Sequence, residues 1–190
     1  RLLSALSAFV DRFGDARDAN LICRLEARIE HGVPADAVGL TAIDGVGAGR
    51  AQKLSAEGLR SPADVRAAGV EGLVEAGLTE GVAERVHENA AGLPAVEVDW
   101  GDFPDTIGRG EHDLREVEVR TTAGRARAAV RVTVNGVEMS ASDGYLDGPT
   151  TLPAPVFGPT QDDELAFRVE VAFPDLPLPP LVETRRVAVA

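Results

Sequence analysis

Gly45-Val46-Gly47 sits in a stretch whose apolar spacing leaves few folds open to it. Leu40 and Ile43 lead into the glycine pair, and Ala51 and Leu54 follow it at helical spacing. This is the pattern of a helix-hairpin-helix. A first helix ends near Asp44, glycine supplies backbone angles that other residues resist, and a second helix starts at about Gly47 to Gly49. Leu40, Ile43, Val46, Ala51 and Leu54 would pack between the helices, with the small Ala51 at their closest approach. The first amides of the second helix lack intrahelical partners and carry the positive end of its dipole. Such a start attracts an anion, in this motif a nucleic-acid phosphate. Gly45, Val46, Gly47, Ala48, Gly49, Arg50 and Lys53 are therefore the candidate nucleic-acid-binding residues. Glycine pairs also mark ordinary turns, so a hairpin used only for packing is the competing reading.

A degenerate second copy occupies residues 73–86. Gly77 matches Gly45, Leu78 matches Val46, Ala83 matches Ala51 and Val86 matches Leu54. Thr79 and Glu80 replace the second glycine and its neighbour. A glutamate there would repel phosphate, so this copy reads as scaffold. Between the copies, Ser61-Pro62-Ala63-Asp64 is a helix start, with Ser61 as cap and Pro62 at the first helical position.

The sequence changes character near Pro94. Before it, apolar residues recur with helical period. Leu2, Leu3, Leu6, Phe9, Val10 and Phe13 would form one face of a first helix ended by Gly14 and Asp15. Ile22, Leu25 and Ile29 mark a second, closed by Gly32 and Pro34. A short helix around residues 36–44 leads into the hairpin. After Pro94 the period is two: Val96 and Val98, Val117 and Val119, then Val130, Val132 and Val134 before Asn135-Gly136, a strong hairpin signal. Val137 and Met139 follow. Leu165 to Phe173 form the longest strand, and Val187 and Val189 the last. The expected fold class is thus α then β in two domains. An all-α domain (1–93) would be followed by an all-β immunoglobulin-like or fibronectin-like sandwich (94–190) of six or seven strands. The proline-rich stretch 174–180 reads as a rigid inter-strand loop, with an SH3-type ligand as the alternative.

The 190 residues carry 31 Asp and Glu against 19 Lys and Arg, a net charge of −12. Lys53 is the one lysine. Such acidity opposes phosphate binding. It is also what proteins of a high-salt cytoplasm show, where dense carboxylates keep the surface hydrated while salt shortens screening to about 3 Å at 1 M. That pattern points to a haloarchaeal source. No run of apolar residues is long enough to span a membrane, and no signal peptide is visible, so the expected location is cytoplasmic. The chain opens at Arg1 directly in a helical pattern, as a piece of a longer protein would.

No phosphate loop, nucleophile constellation or metal-spaced Cys or His cluster occurs. His31, His87 and His112 stand far apart in sequence, Cys23 reads as a buried thiol, and the carboxylate pairs Asp162-Asp163 and Asp102/Asp105 as solvated. No catalytic residue, metal or cofactor is expected in these residues.

The segment Arg24-Leu25-Glu26-Ala27-Arg28-Ile29-Glu30-His31-Gly32-Val33 runs through a short helix into Ile43-Asp44-Gly45-Val46-Gly47-Ala48-Gly49-Arg50-Ala51-Gln52-Lys53-Leu54. Over residues 20–65 this resembles the C-terminal region of archaeal superfamily 2 DNA helicases of the Ski type. There a helix reading R-L-E-x-R-I-x-x-G-V precedes a hairpin I-x-G-[IV]-G-x-x-R-A-x-x-L. The resemblance implies a helical bundle, a helix-hairpin-helix and an immunoglobulin or fibronectin-like domain following an ATP-dependent motor in the same polypeptide. It implies that Gly45, Gly47, Arg50 and Lys53 grip or brake single-stranded or forked DNA, or RNA, as it leaves that motor. The β-sandwich would dock the motor or a protein partner. The DNA helicases tend to carry basic residues where this chain has Asp44, Ala48 and Gln52, which shifts weight toward the alternative, a protein–protein interaction or scaffold module without nucleic-acid binding.

One consequence follows from the charge alone. Carboxylate repulsion strains the compact state in dilute buffer and relaxes when screened. The melting temperature should rise by several degrees between 0.1 M and 2 M KCl, read by circular dichroism. A flat or falling curve would remove the high-salt explanation of the composition.

Overall fold

The structure, a computed structural model, describes residues 2–190, and the side chains of these except residues 2–4 and Asp11. Five α-helices come first: α1 (Leu2–Phe13), α2 (Ala16–His31), α3 (Ala48–Ala56), α4 (Pro62–Glu75) and α5 (Glu80–Gly92). A 3-10 turn, Val38–Ala42, precedes α3. Each start has a local cause. Asp15 caps α2 by accepting from the amides of Arg17 and Asp18, and the Asp18 carboxylate returns to the Asp15 amide. Ser61 and Asp64 make the same reciprocal box at α4, with Pro62 at its first turn. Burial alone would raise the Asp64 pKa. Hydrogen bonds from the Arg60 backbone and from Ser61 outweigh it and hold the carboxyl below its usual value. Gly32 ends α2 in the left-handed region.

Ten strands follow, among the described residues: β1 (Ala95–Asp99), β2 (Thr106–Ile107), β3 (His112–Asp113), β4 (Glu116–Ala123), β5 (Ala126–Val134), β6 (Val137–Leu146), β7 (Thr150–Pro153), β8 (Val156–Phe157), β9 (Glu164–Ala172) and β10 (Leu181–Val189). They form sheets ordered β1-β4-β7, β2-β10-β9-β5-β6 and β3-β8. Asn135 and Gly136 both take positive φ between β5 and β6, the two-residue turn whose twist suits a hairpin. Val130 faces Val171 and Val132 faces Val169 across the β5–β9 pair, and all four are buried. Short, mostly antiparallel strands with alternate residues turned inward make this an immunoglobulin-like β fold. The two-residue strands β2, β3 and β8 escape the valine pattern, because pairs of residues carry no period.

The chain divides into two compact units, and their boundaries correct the expected fold class. An all-α domain at 1–93 followed by an all-β domain at 94–190 is not what forms. The chain is mixed α and β, and the helical unit takes in residues 123–126 and Phe173–Pro179 from the strand half. The second unit is residues 95–122, 127–172 and 180–190.

Two constraints make the helical unit draw on the later sequence. Buried Asn20, on α2, donates its amide to the carbonyls of Phe173, Leu176 and Leu178 at 2.8, 3.0 and 3.0 Å. Gly124, at φ +62°, sits where a Cβ would fall 2.5 Å from the Gly92 carbonyl oxygen, closer than any side chain allows. The proline-rich stretch is thus a held segment of the helical unit, and Leu178 is buried in it.

The helical core gathers Val38, Leu40, Ile43, Leu54, Val65, Leu73, Ala83 and Val86, each at most 1% exposed. The expected inward face of α1 is corrected. Leu6, Phe9 and Phe13 are exposed, as are Leu21 and Ile29 on α2. Leu2 and Leu3 lie outside the residues whose side chains are described. Periodicity reports that a stripe exists, and it does not report what covers the stripe.

Replacing Asn20 by Ala removes the side-chain donor from three carbonyls, two of them in buried bonds, and leaves the Phe173 carbonyl with only the Leu176 amide at 3.2 Å. The expected cost is about 2–4 kcal/mol in denaturant unfolding. Protease cleavage within residues 173–179 should appear in the variant well before the parent is cut. A cost under about 0.5 kcal/mol would show that water replaces the amide.

Candidate nucleic-acid interface

The first glycine turn joins the 3-10 segment Val38–Ala42, where the spacing predicts a helix ending near Asp44, to α3. Gly45 takes φ +85°, a left-handed angle that costs other residues about 1–2 kcal/mol. The Val46 amide closes the turn onto the Ile43 carbonyl at 3.0 Å. Gly47, extended at φ −87° and ψ −175°, is the residue before α3, and no side chain caps that helix. Its carbonyl accepts from Ala51 at 2.9 Å. Ile43, Val46, Ala51 and Leu54 lie in the helical core, which fixes the hairpin's angle.

The second hairpin repeats this backbone. Gly77 takes φ +87°, and Leu78, Ala83 and Val86 are buried as Val46, Ala51 and Leu54 are. Thr79 stands at the start of α5, again without a side-chain cap, and its carbonyl accepts from Ala83 at 2.8 Å. The Asn89 side-chain amide, on α5, donates to the Asp44 carbonyl at 3.0 Å and so ties the second copy to the first turn.

Both helix starts line one open hollow of about 510 Å³. Gly47, Ala48 and Gly49 form one wall with Arg50 and Lys53, and Gly77, Leu78 and Thr79 form the other. The candidate residues divide here. Gly47, Ala48, Gly49, Arg50 and Lys53 meet in the hollow. Gly45 shapes the turn, and its carbonyl accepts from the Arg50 guanidinium. Val46 is only 4% exposed and packs into the core, so its side chain is not a ligand group. Sequence reasoning missed the contribution of Gly77 to Thr79. The repeated glycine spacing, Gly77 for Gly45, is the signal that points to them.

The electrostatics are sparse. Arg50 and Lys53 are exposed at the hollow. Arg60, which a broader basic patch would recruit, is bonded to Asp36 at 2.9 Å. Two uncapped helix starts and two cations can hold one or two anionic oxygens groups through backbone amides and side-chain donors. Nothing here supplies a nucleophile or general base. Cys23 is half-buried, and its thiol is pushed up first by burial and then by Glu26 and Asp175. Among the described residues no three His, Cys, Asp or Glu side chains converge as metal ligands, and no helix is long and apolar enough to cross a membrane.

No protein-family model matches the chain, and no curated protein matches it. Solved structures resemble about half of it. The crystal structure of the CARDB domain of the PF1109 protein from Pyrococcus furiosus, in complex with di-metal ions, is 24% identical. It covers 51% of this chain and 89% of that one, with a TM-score of 0.40. The solution structure of the same domain gives 24% identity, 51% and 94% coverage and a TM-score of 0.41. A β-glucosidase from Listeria innocua is 14% identical over 50% of this chain and 16% of that one, at a TM-score of 0.34.

The two glycines of the first hairpin have different jobs, which stability measurements separate. At both positions an added Cβ meets nothing within 4 Å. Gly45→Ala should cost about 1–2 kcal/mol through its left-handed backbone alone. Gly47→Ala should cost only about 0.5 kcal/mol, the difference between glycine and alanine before a helix. Equal costs would contradict the assigned geometry.

Proposed function

We propose that this chain is a non-catalytic nucleic-acid-binding module whose Gly47–Lys53 hollow holds a phosphate backbone as a helix-hairpin-helix does. The observation that carries the reading is the convergence of two uncapped helix starts with Arg50 and Lys53 on one concave surface. Backbone amides read no base, so binding is independent of sequence. The sequence resemblance to Ski-type helicases supplies the context: a C-terminal accessory unit, with the ATP-dependent motor elsewhere in the polypeptide and single-stranded or forked DNA, or RNA, as ligand. The acidic, lysine-poor composition fits a halophilic archaeal cytoplasm. With two cations at the site, affinity falls near non-specific values of about 10⁻⁴ to 10⁻⁶ M, with a salt slope of roughly −1 to −2.

A second reading is a protein-interaction module. Pairing of Arg60 with Asp36 and the net charge of −12 favour it.

Fluorescence anisotropy of a labelled single strand separates the two. The parent should bind, Arg50→Ala with Lys53→Ala should weaken binding at least tenfold with an unchanged circular-dichroism spectrum, and Gly47→Ala should weaken it by crowding the approach. Equal binding by parent and double variant, or no binding by the parent, would leave the interaction module as the reading.

A further inference from the structure

The second unit carries its own hollow, of about 430 Å³, lined by Trp100, Leu114, Pro153 and Pro155 with Asp102 and Glu116 at its sides. It forms where three strands of one sheet reach their ends. Trp100 follows β1, Glu116 opens β4, and Pro153 closes β7 directly opposite Glu116 in the ladder.

Its walls are set before any ligand arrives. The Trp100 indole N–H donates to the Glu183 carboxylate at 3.2 Å. The ring meets Phe103 edge to face at 5.2 Å between centroids, and Phe103 meets Phe167 the same way at 4.8 Å. The two prolines have fixed φ. Leu114, by contrast, is 80% exposed. A large apolar side chain held in water beside a fixed tryptophan is the composition of a contact surface, where a few buried aromatic anchors dominate binding. The volume suits one or two side chains.

The charges say what kind of partner fits. Asp102 and Glu116 are exposed and have no hydrogen-bond or ion-pair partner among the described residues. Arg115 also lines the hollow, and its guanidinium is bonded to Asp113 at 2.7 Å. The local balance is therefore an apolar floor with an unneutralised acidic rim. We infer that this hollow binds an extended peptide segment of a protein partner, seating one aliphatic side chain between Trp100 and Leu114 with flanking lysine or arginine on Asp102 and Glu116. Preformed walls keep the ordering cost low, and the small area keeps the affinity on the order of 10⁻⁴ M. No residue that lines it lines the Gly47–Lys53 hollow, and neither proposal depends on the other.

Trp100 is the chain's single tryptophan, so fluorescence excited beyond the absorption of Tyr145 reports this hollow alone. The probe is a short peptide with one leucine flanked by lysines, titrated in moderate salt. The expected result is a saturable change in emission, absent with a glutamate-flanked peptide. Leu114→Glu should abolish it. Asp102→Lys with Glu116→Lys should weaken the lysine-flanked peptide at least tenfold and gain the glutamate-flanked one. All three positions are exposed, so the variants keep the fold. No emission change, or one of equal affinity in parent and charge-reversed variant, overturns the proposal. Emission change with maltohexaose and not with the peptide overturns it in favour of a sugar site.

Discussion

The amide of Asn20 has two hydrogens and meets three carbonyls, those of Phe173, Leu176 and Leu178, so at least one hydrogen is shared. An asparagine buried on a helix needs such partners, because an unpaired amide in the interior costs several kcal/mol. The Leu176 and Leu178 carbonyls need the asparagine in turn, since a stretch rich in proline has few amides of its own to pair with. This mutual requirement draws Phe173–Pro179 into the helical unit. It explains why the molecule does not separate into a helical half and a strand half. The close approach of Gly124 to the Gly92 carbonyl serves the same unit from another point in the chain.

Within that unit, the hairpins show how a core positions a polar surface. Ala51 and Ala83 have no exposed surface, and their small size lets each helix start lie close to its turn. Left-handed Gly45 and Gly77 then aim both helix starts at one hollow. The aim is decided by apolar packing, while the hollow itself presents Arg50 and Lys53 beside Leu78, Thr79 and Val82. Glu80 lies between Thr79 and Val82, both of which line the hollow, and it puts a carboxylate in the first turn of α5.

The strand unit uses its residues differently. Alternation buries Val130, Val132, Val169 and Val171 in facing pairs. The aromatic run Trp100, Phe103 and Phe167 fixes the loop after β1. Arg185 adds to it by lying 5.8 Å from the Phe103 ring centre and donating to the Phe103 carbonyl at 2.8 Å. Much of the arginine in this chain is engaged with carboxylates on the surface, as Arg120 with Asp99 and Arg127 with Asp143. Such exposed pairs add little stability, and they subtract cations from any basic patch.

The sequence by itself determined the local elements. The cap at Ser61, the turn at Asn135-Gly136, the glycine hairpin and the alternating valines were legible because each depends on a few adjacent residues and on backbone sterics. It also determined the repeat, since Gly77, Leu78, Ala83 and Val86 reproduce the packing of the first copy. Tertiary structure alone decided what lies against what. The partner of Asn20 is more than 150 residues away, Phe9 and Phe13 are exposed despite a regular stripe, and strands of two residues exist only because a neighbour pairs with them. The two hollows belong to that second class. Each joins residues from separate turns, and a concave surface is a property of elements brought together, which no local period encodes.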